Sequence, residues 1–421
     1  MTIVGIDDTD SRELGMCTTY VAARLAERLQ SAGHDVERTL LVRLNPAVEY
    51  KTRGNAALAV HTDADSETAL AVAREEIDLA ETDDPRTNPG VVVADRDPKR
   101  VPVAVSTFAR DTVRAHQTIE GARGIADEHN FETLSQGNGR GLIGALAAVG
   151  AWQAFDDWTY EHISYRERDR WGEERDVDLD SVFEAAESVY PDAWDTVDQV
   201  EGRAVCVPRT PCPILYGIRG DDLDAVERVA GRIESEPVAC QHLFVTNQGT
   251  DAHLRDGTLG DVENGRAYCV DGEVVDPPET RAGGHVFLSL AEDDDRLDCA
   301  AFEPTKRFRD RVRALRVGDR VTACGEVSDG TLKLEKIAVR DLVTTERVTP
   351  ECPECGNSME SAGRNQGYRC RDCGTTADGK VEVPIERGLE EGWYEVPPCA
   401  RRHIAKPLVR GGFDAPVHPE R

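Results

Sequence analysis

The sequence predicts a multidomain α+β protein, and three observations carry that prediction. At 421 residues the chain exceeds what one hydrophobic core organises. Helix-like and strand-like periodicities alternate over the first half, and short strand-like runs dominate the second. Near the C-terminus two CxxC pairs, Cys352 with Cys355 and Cys370 with Cys373, have the separation of a four-thiolate zinc ribbon. The expected units are 1–195, an N-terminal α/β domain; 196–270, a ferredoxin-like domain; 280–345, an OB-fold β-barrel; and 346–421, the zinc ribbon with a basic C-terminal tail.

Composition narrows the class further. No apolar run approaches the ~20 residues that span a bilayer, and the N-terminus has no basic segment leading into a cleavable apolar one. The expectation is a soluble cytoplasmic protein with no membrane partner. The formal charge is −29, from 79 acidic and 50 basic residues, a surplus that ordinarily argues against a nucleic-acid partner. Here, however, the basic residues are nearly all arginine, with lysine only at Lys51, Lys99, Lys306, Lys333, Lys336, Lys380 and Lys406. An acidic, lysine-poor chain looks like a haloarchaeal, salt-adapted protein, so local cation clusters say more about partners than the total does. Of the twelve cysteines, Cys17, Cys206, Cys212, Cys240, Cys269, Cys299, Cys324 and Cys399 are scattered, and they are expected as reduced, small core residues.

The first unit opens on an apolar strand that delivers Asp7, Asp8 and Asp10 within four residues. Gly15 and a helix-like run from 18 to 30 follow, with Val21, Leu25 and Leu29 on one face and Thr18 or Thr19 as its expected cap. Carboxylates beside a helix N-terminus suit a magnesium-bound polyphosphate; a solvated acidic turn next to a capping threonine has about equal weight on residue chemistry alone. Strands are expected at 38–44, 56–61, 91–94 and 101–106, with a helix at 66–80. Between the first two strands, Lys51, Arg53 and Gly54 suit either a closely approached anion or an ordinary basic hairpin turn. Residues 136–148 form a glycine cluster running into a small-residue helix. It lacks the last glycine of a dinucleotide fingerprint, so a phosphate loop through Gly137 and Gly139 and plain close helix packing both remain open.

Residues 152–194 turn polar and aromatic and fit either base stacking or a solvated helical face. The strand, helix and strand at 214–219, 223–233 and 241–246 give the ferredoxin-like expectation. Residues 255–284, rich in Gly, Asp, Pro and Glu, read as a connector or irregular β segment. Strands at 285–290, 297–302, 320–327 and 331–339, with a helical stretch at 307–315, have the spacing of a five-stranded OB barrel. Lys306, Arg307 and Phe308 lie in its one basic, aromatic stretch, a composition that suits single-stranded nucleic acid. The zinc expected at the four cysteines is structural, because four thiolates leave no open position. Arg402 and Lys406 belong to the basic tail and are candidate phosphate contacts.

Taken together, GIDDTDS at 5–11, GMCTTY at 15–20, RLNP at 43–46, KTRGNAA at 51–57, GNGRGLIGALAA at 137–148 and RHIAKPLVR at 402–410 resemble the archaeal tRNA(Ile) 2-agmatinylcytidine (agmatidine) synthetase family. The resemblance covers nearly the whole chain and rests on the order of the motifs. It implies an N-terminal ATP-binding, kinase-like catalytic domain and an ATP-dependent ligase that joins agmatine to C2 of the wobble cytidine in a CAU anticodon, so that the tRNA reads AUA. The cytidine O2 would be phosphorylated first and then displaced by the amine, with ATP ending as AMP and phosphate. On this resemblance Asp7, Asp8 and Asp10 position Mg2+ and ATP, and Thr18 is a phosphorylated residue beside them. Lys51, Arg53, Gly137, Gly139 and Arg140 become ATP contacts, and Lys306, Arg307, Phe308, Arg402 and Lys406 become tRNA contacts. Two other readings stand beside it: a non-catalytic OB and zinc-ribbon nucleic-acid-binding protein, and a tRNA-modifying ligase that uses another amine.

Overall fold

The computed structural model describes every residue except Arg12, Leu14, Tyr50, Thr52 and Arg53. The first half forms β1 (Thr2–Asp7), α1 (Thr18–Ser31), β2 (Val36–Arg43), β3 (Ala56–Thr62), α2 (Ser66–Ile77), β4 (Gly90–Asp95), α3 (Val103–Arg114), α4 (Ile119–Glu128), β5 (Glu132–Ser135), α5 (Gly141–Ala154), β6 (Thr159–Arg166), α6 (Leu179–Glu187), β7 (Ala193–Trp194), β8 (Val197–Asp198), β9 (Arg203–Ala204), β10 (Ile214–Gly220), α7 (Leu223–Ala230) and β11 (Val238–Thr246). Among the described residues nine of these strands make a single sheet in the order β5-β4-β1-β3-β2-β11-β6-β10-β7. The seam is parallel, with Val245 of β11 opposite Leu40 of β2 and Thr246 opposite Leu41. The strands expected as a separate ferredoxin-like unit thus extend the N-terminal sheet, and the expected limit at 195/196 falls inside it.

β1 is apolar on both faces because both are covered. Val4 and Ile6 pack with Val21, Leu25 and Leu29 of α1 and with Ala69, Ala73 and Ile77 of α2. Ile3 faces the other way, against α3 and α5. The small residues of α5 let that helix lie directly on the sheet: a Cβ on Gly5 would stand 2.1 Å from the Ala145 carbonyl oxygen. Of the two open readings of the 136–148 cluster, close helix packing accounts for this end of it.

The strand expected at 101–106 is instead the start of α3. Its valines suggested β structure, but Val105, Phe108, Ala109, Thr112 and Val113 are buried at helical spacing, and Pro102 occupies the N-cap, where its missing N–H costs nothing. Helix α1 begins at Thr18 as expected, with Cys17 rather than a threonine at the N-cap and no side-chain cap bond.

The second half contributes β12 (Leu254–Asp256), β13 (Arg266–Thr280), β14 (Val286–Glu292), β15 (Asp295–Ala301), α8 (Phe308–Arg313), β16 (Arg320–Ser328) and β17 (Thr331–Asp341). Strand pairing runs β13-β14-β15-β17-β16 and returns to β13, a closed five-strand circuit around an apolar interior. The stretch expected as a connector or irregular β segment contains the fifteen-residue β13, which carries Pro277 and Pro278 at register shifts where no ladder N–H is needed. Cys269 and Cys324 face each other across β13 and β16 and form a disulfide, so these two are not reduced core thiols as expected.

Short strands β18 (Thr345–Val348), β19 (Glu360–Ser361), β20 (Tyr368–Arg369), β21 (Thr376–Ala377) and β22 (Val381–Pro384) surround the four cysteines. The chain then returns to the barrel, where β23 (Gly392–Glu395) pairs with β17 and β24 (Val417–His418) pairs with β23. From there the basic tail reaches across to the first sheet: Arg401 meets Asp195 at 2.7 Å, and Arg410 meets Asp157 at 3.0 Å and Asp221 at 2.7 Å. Among the described residues no helix is long and apolar enough to cross a membrane.

Candidate active site and zinc centre

The acidic cluster lies where β1 ends against the start of α5. Asp8 has φ of 59°, a left-handed conformation that costs a non-glycine residue and turns its carboxylate out of the strand line. There Arg140, at the N-cap of α5, donates from Nε at 3.0 Å and Nη2 at 2.8 Å to one Asp8 oxygen. Asp7 lies against α5: a Cβ on Gly144 would stand 2.0 Å from Asp7 Oδ2, so only glycine leaves room for that carboxylate. Burial strips both groups of water and raises their pKa values, Asp7 well above the usual carboxylate range and Asp8 to about 7. Mutual repulsion adds to the rise at Asp7, and Arg140 partly offsets it at Asp8. Two carboxyls buried and crowded in this way favour their charged forms only with a cation beside them.

Two cavities flank the cluster. The first, about 260 Å³, is lined by Asp7, Asp8, Asp10, Lys51, His116 and Arg140 among others. The second, about 250 Å³, has Cys17, Thr18, Arg43, Glu161, Cys206 and Arg219 in its wall. Asp10, Asn55 and Ala56 line both, which makes them two chambers with a common partition. The three aspartates therefore line one chamber, and Thr18 belongs to the neighbouring one. In the second chamber Glu161 accepts from Arg43 at 3.2 Å and from Arg219 at 3.2 Å, and those two guanidinium groups hold its buried carboxyl below the ordinary glutamate range.

The other expected ATP contacts divide. Lys51 lines the first chamber and donates to the Pro46 carbonyl. Arg140 lines it too, engaged with Asp8. Gly137 and Gly139 line neither chamber; at φ of 61° and 81° they form the turn that sets Arg140 and the start of α5. Arg53 lies outside the described residues.

The donor set of the first chamber fits magnesium, which takes hard oxygen ligands and keeps part of its hydration. Among the described residues the only group that brings three or more ligand atoms within 4.8 Å is the four-cysteine cluster, so Asp7, Asp8 and Asp10 do not close an all-protein cage. One or two carboxylates with phosphate oxygens and water completing the shell is the arrangement magnesium favours.

The cysteines do close. Cys352 Sγ lies 3.2 Å from Cys373 Sγ, and Cys355 Sγ lies 3.5 Å from Cys370 Sγ. The knuckles match: Gly356 N–H donates to the Cys352 carbonyl at 2.8 Å and Gly374 N–H to the Cys370 carbonyl at 3.1 Å. Thiolates bound about 2.3 Å from a tetrahedral zinc sit about 3.8 Å apart, so this set fits the metal with only a slight expansion.

The expected nucleic-acid contacts are largely engaged elsewhere. Phe308 is fully buried in the barrel core and presents no ring to a base, a correction to its reading as a stacking residue. Phe308→Ala should lower stability by about 3–5 kcal/mol, read as a fall in Tm, through the cavity it leaves. Arg307 bridges Asp198 at 3.1 Å and Glu420, joining the barrel to the β8–β9 ribbon and the C-terminus. Arg402 is held between Glu335 and Glu326. Lys306 lies 3.9 Å from Glu201, and Lys406 stands over the Phe413 ring. The distribution of acids in sequence gave no sign that these cations would be paired.

The second chamber's Glu161, Arg43 and Arg219 were also not singled out from sequence. The available signal was a charged residue in each of two strand-like runs, Glu161 on β6 and Arg219 on the otherwise apolar β10, opposite one another in the sheet.

Comparison with known proteins decides the family. The profile described as the TiaS TCKD domain matches residues 3–68, the TiaS FLD domain 139–253, and the TiaS C-terminal zinc ribbon domain 349–389. The tRNA(Ile) 2-agmatinylcytidine synthetase TiaS of Haloquadratum walsbyi is 53% identical over 462 residues, covering 100% of both chains. The chain belongs to the TiaS family. A crystal structure of TiaS with its isoleucine tRNA and ATP superposes with a TM-score of 0.90 at 42% identity, covering 100% of this chain and 99% of that one. A complex of TiaS with the tRNA, AMPCPP and agmatine gives 0.87 at 40% identity with the same coverage. The multidomain α+β architecture and the zinc ribbon are those of TiaS.

Proposed function

We propose that this chain is an ATP-dependent tRNA-modifying ligase that joins agmatine to C2 of the wobble cytidine in the CAU anticodon of tRNA(Ile). The observation that carries this reading is the pair of chambers with Asp10, Asn55 and Ala56 in common, set in a chain that matches TiaS from end to end. We assign the ATP polyphosphate to the first chamber, where Lys51 offers its ammonium and Asp7, Asp8 and Asp10 would hold magnesium. Magnesium, when bound, neutralises polyphosphate charge and the charge that develops during phosphoryl transfer.

We assign the cytidine and the amine to the second chamber, with Thr18. A C2 carbonyl oxygen is a poor leaving group, so the γ-phosphoryl group of ATP is placed on it, and cleavage of the remaining ADP by water leaves AMP and phosphate. The agmatine nitrogen then forms the C–N bond, phosphate departs with the oxygen, and the nitrogen gives up its proton. A wobble base in a single-stranded loop enters without the cost of opening a duplex.

Within the architecture, we read the part of the sheet around β1 as the kinase-like domain, the part around β10 and β11 as ferredoxin-like, and the closed circuit of β13 to β17 as an OB barrel. The proposed limits remain 1–195, 196–270, 280–345 and 346–421, with the first two units built on one continuous sheet. Lys306 and Lys406 are kept as tRNA contacts; Arg307 and Arg402 reach tRNA only if their ion pairs open.

Thr18 tests the division of labour. Incubated with γ-labelled ATP, the wild type should retain label on Thr18 and Thr18→Ala should retain none, with agmatine incorporation reduced. Equal labelling of the two proteins would remove Thr18 from the phosphoryl path.

A further inference from the structure

The roof of the second chamber is the segment 205–214, which contributes Val205, Cys206, Pro208, Thr210, Cys212 and Ile214 to the wall. Pro208, Pro211 and Pro213 carry no N–H, so this segment has few donors with which to hold itself by backbone bonding. Backbone bonds tie its two ends, Val205 and Cys206 N–H to the Thr196 carbonyl at 2.9 and 3.0 Å and Arg166 N–H to the Pro213 carbonyl at 2.8 Å, and among the described residues Arg175 bonds its middle from outside the chamber. Arg175 donates from Nε to the Ile214 carbonyl at 2.9 Å and from Nη2 to the Thr210 carbonyl at 3.0 Å. The same Nη2 reaches Cys212, its carbonyl at 3.4 Å and its Sγ at 3.1 Å. Beyond this roof an open groove of about 400 Å³ runs between 172–175 and 207–211 and also has Pro208 and Thr210 in its wall. The roof is therefore one chain thick, with Arg175 on its outer side.

Arg175 is itself fixed from below. Arg166 and Glu236 form a buried ion pair at 2.6 Å. Arg166 donates to the carbonyls of Glu173 at 2.8 Å and Glu174 at 3.0 Å, and Glu236 accepts from Asp176 N–H at 2.9 Å. Residues on both sides of Arg175 are thus tied to the sheet, and the planar guanidinium transmits that fixed position to three roof residues. A planar fork does this where a lysine ammonium, a compact point charge, does not.

We infer that Arg175 is a positioning residue for the amine and base chamber: by bonding Thr210, Cys212 and Ile214 it sets the roof height and with it the fit of the amine. The inference rests on the assignment of agmatine to the second chamber. Displacing a positioning wall by about 1 Å costs up to about 100-fold, and the loss falls on one substrate.

The test measures KM for agmatine and for ATP with wild type, Arg175→Ala, Arg175→Lys and Thr210→Trp, the last adding bulk at an exposed roof residue. The expected result for Arg175→Ala is a KM for agmatine raised about tenfold or more with KM for ATP within about twofold. Added methylguanidinium should partly restore it, and Arg175→Lys should fall in between. An unchanged KM for agmatine in Arg175→Ala, or an equal loss for both substrates without rescue, would overturn the inference. If Arg175→Ala does not fold, Arg175→Lys decides: an agmatine KM equal to wild type overturns it. Thr210→Trp separates the two layers. A raised agmatine KM there with none in Arg175→Ala leaves the chamber assignment standing and removes Arg175, whereas an agmatine KM untouched by Thr210→Trp removes the chamber assignment and the inference with it.

Discussion

Replacing Asp8 with asparagine lowers agmatidine formation and AMP release by about 100- to 1,000-fold, the loss expected when one preorganised charge is removed from a phosphoryl-transfer site. Binding of tRNA should be retained, because Asp8 lines the chamber assigned to ATP and not the one assigned to the base. The cause is specific: Asp8 and Arg140 face each other at 2.8 Å in the wall of the chamber that also holds Asp7, and asparagine leaves Arg140 without its counter-charge. Stability moves the other way with pH. The folded Asp8 pKa is raised from 3.8 to about 7, chiefly by burial, so the folded state holds its proton more tightly than the unfolded one does. Its contribution is full below the unfolded value and is lost as pH rises through the folded one. Without nucleotide or metal, the Tm of Asp8→Asn should therefore gain on that of the wild type between about pH 4 and pH 7. Wild-type turnover in this variant would take the acidic strand out of the mechanism.

Zinc removal has the second largest effect. Apart from Cys352 and Cys370, the ribbon's buried apolar cluster contains only Met359, with Tyr368 and Ala377 packed against it. So small a core cannot hold the segment folded, and structural zinc supplies about 10–16 kcal/mol in comparable sites. Chelation, or Cys352→Ser with Cys370→Ser, should release the metal, open the segment around the four cysteines to proteolysis and weaken tRNA binding. The barrel should stay intact, since its core is separate. Unchanged zinc content in the double variant would refute the four-thiolate centre.

What was legible in the sequence was whatever is written locally. The acidic end of β1, the small-residue helix α5 and the CxxC knuckles each carry their chemistry within a few residues of one another, and each stands where it was expected. What was not legible depends on long-range pairing. Joining β11 to β2 merges two expected units into one sheet, and only two paired positions make that join. The wall of the second chamber takes Thr18 from α1, Glu161 from β6 and Arg219 from β10, residues that share no local pattern. Phe308 misled because a phenylalanine among arginines looks like a stacking surface, whereas the helical turn points it into the barrel. The pairing of the basic tail was not legible for a related reason: in so acidic a chain, arginines that look free in sequence find carboxylates far along the chain, as Arg401 finds Asp195 and Arg410 finds Asp221.

The most direct test of the central claim is transfer of labelled agmatine to tRNA in high salt. Two tRNA(Ile) transcripts are compared, one with the CAU anticodon and one with its wobble cytidine replaced by uridine. The account predicts ATP-dependent label in the CAU transcript, confined to the wobble nucleotide, and none in the other. Absence of label from the CAU transcript, or equal label in both, would contradict it.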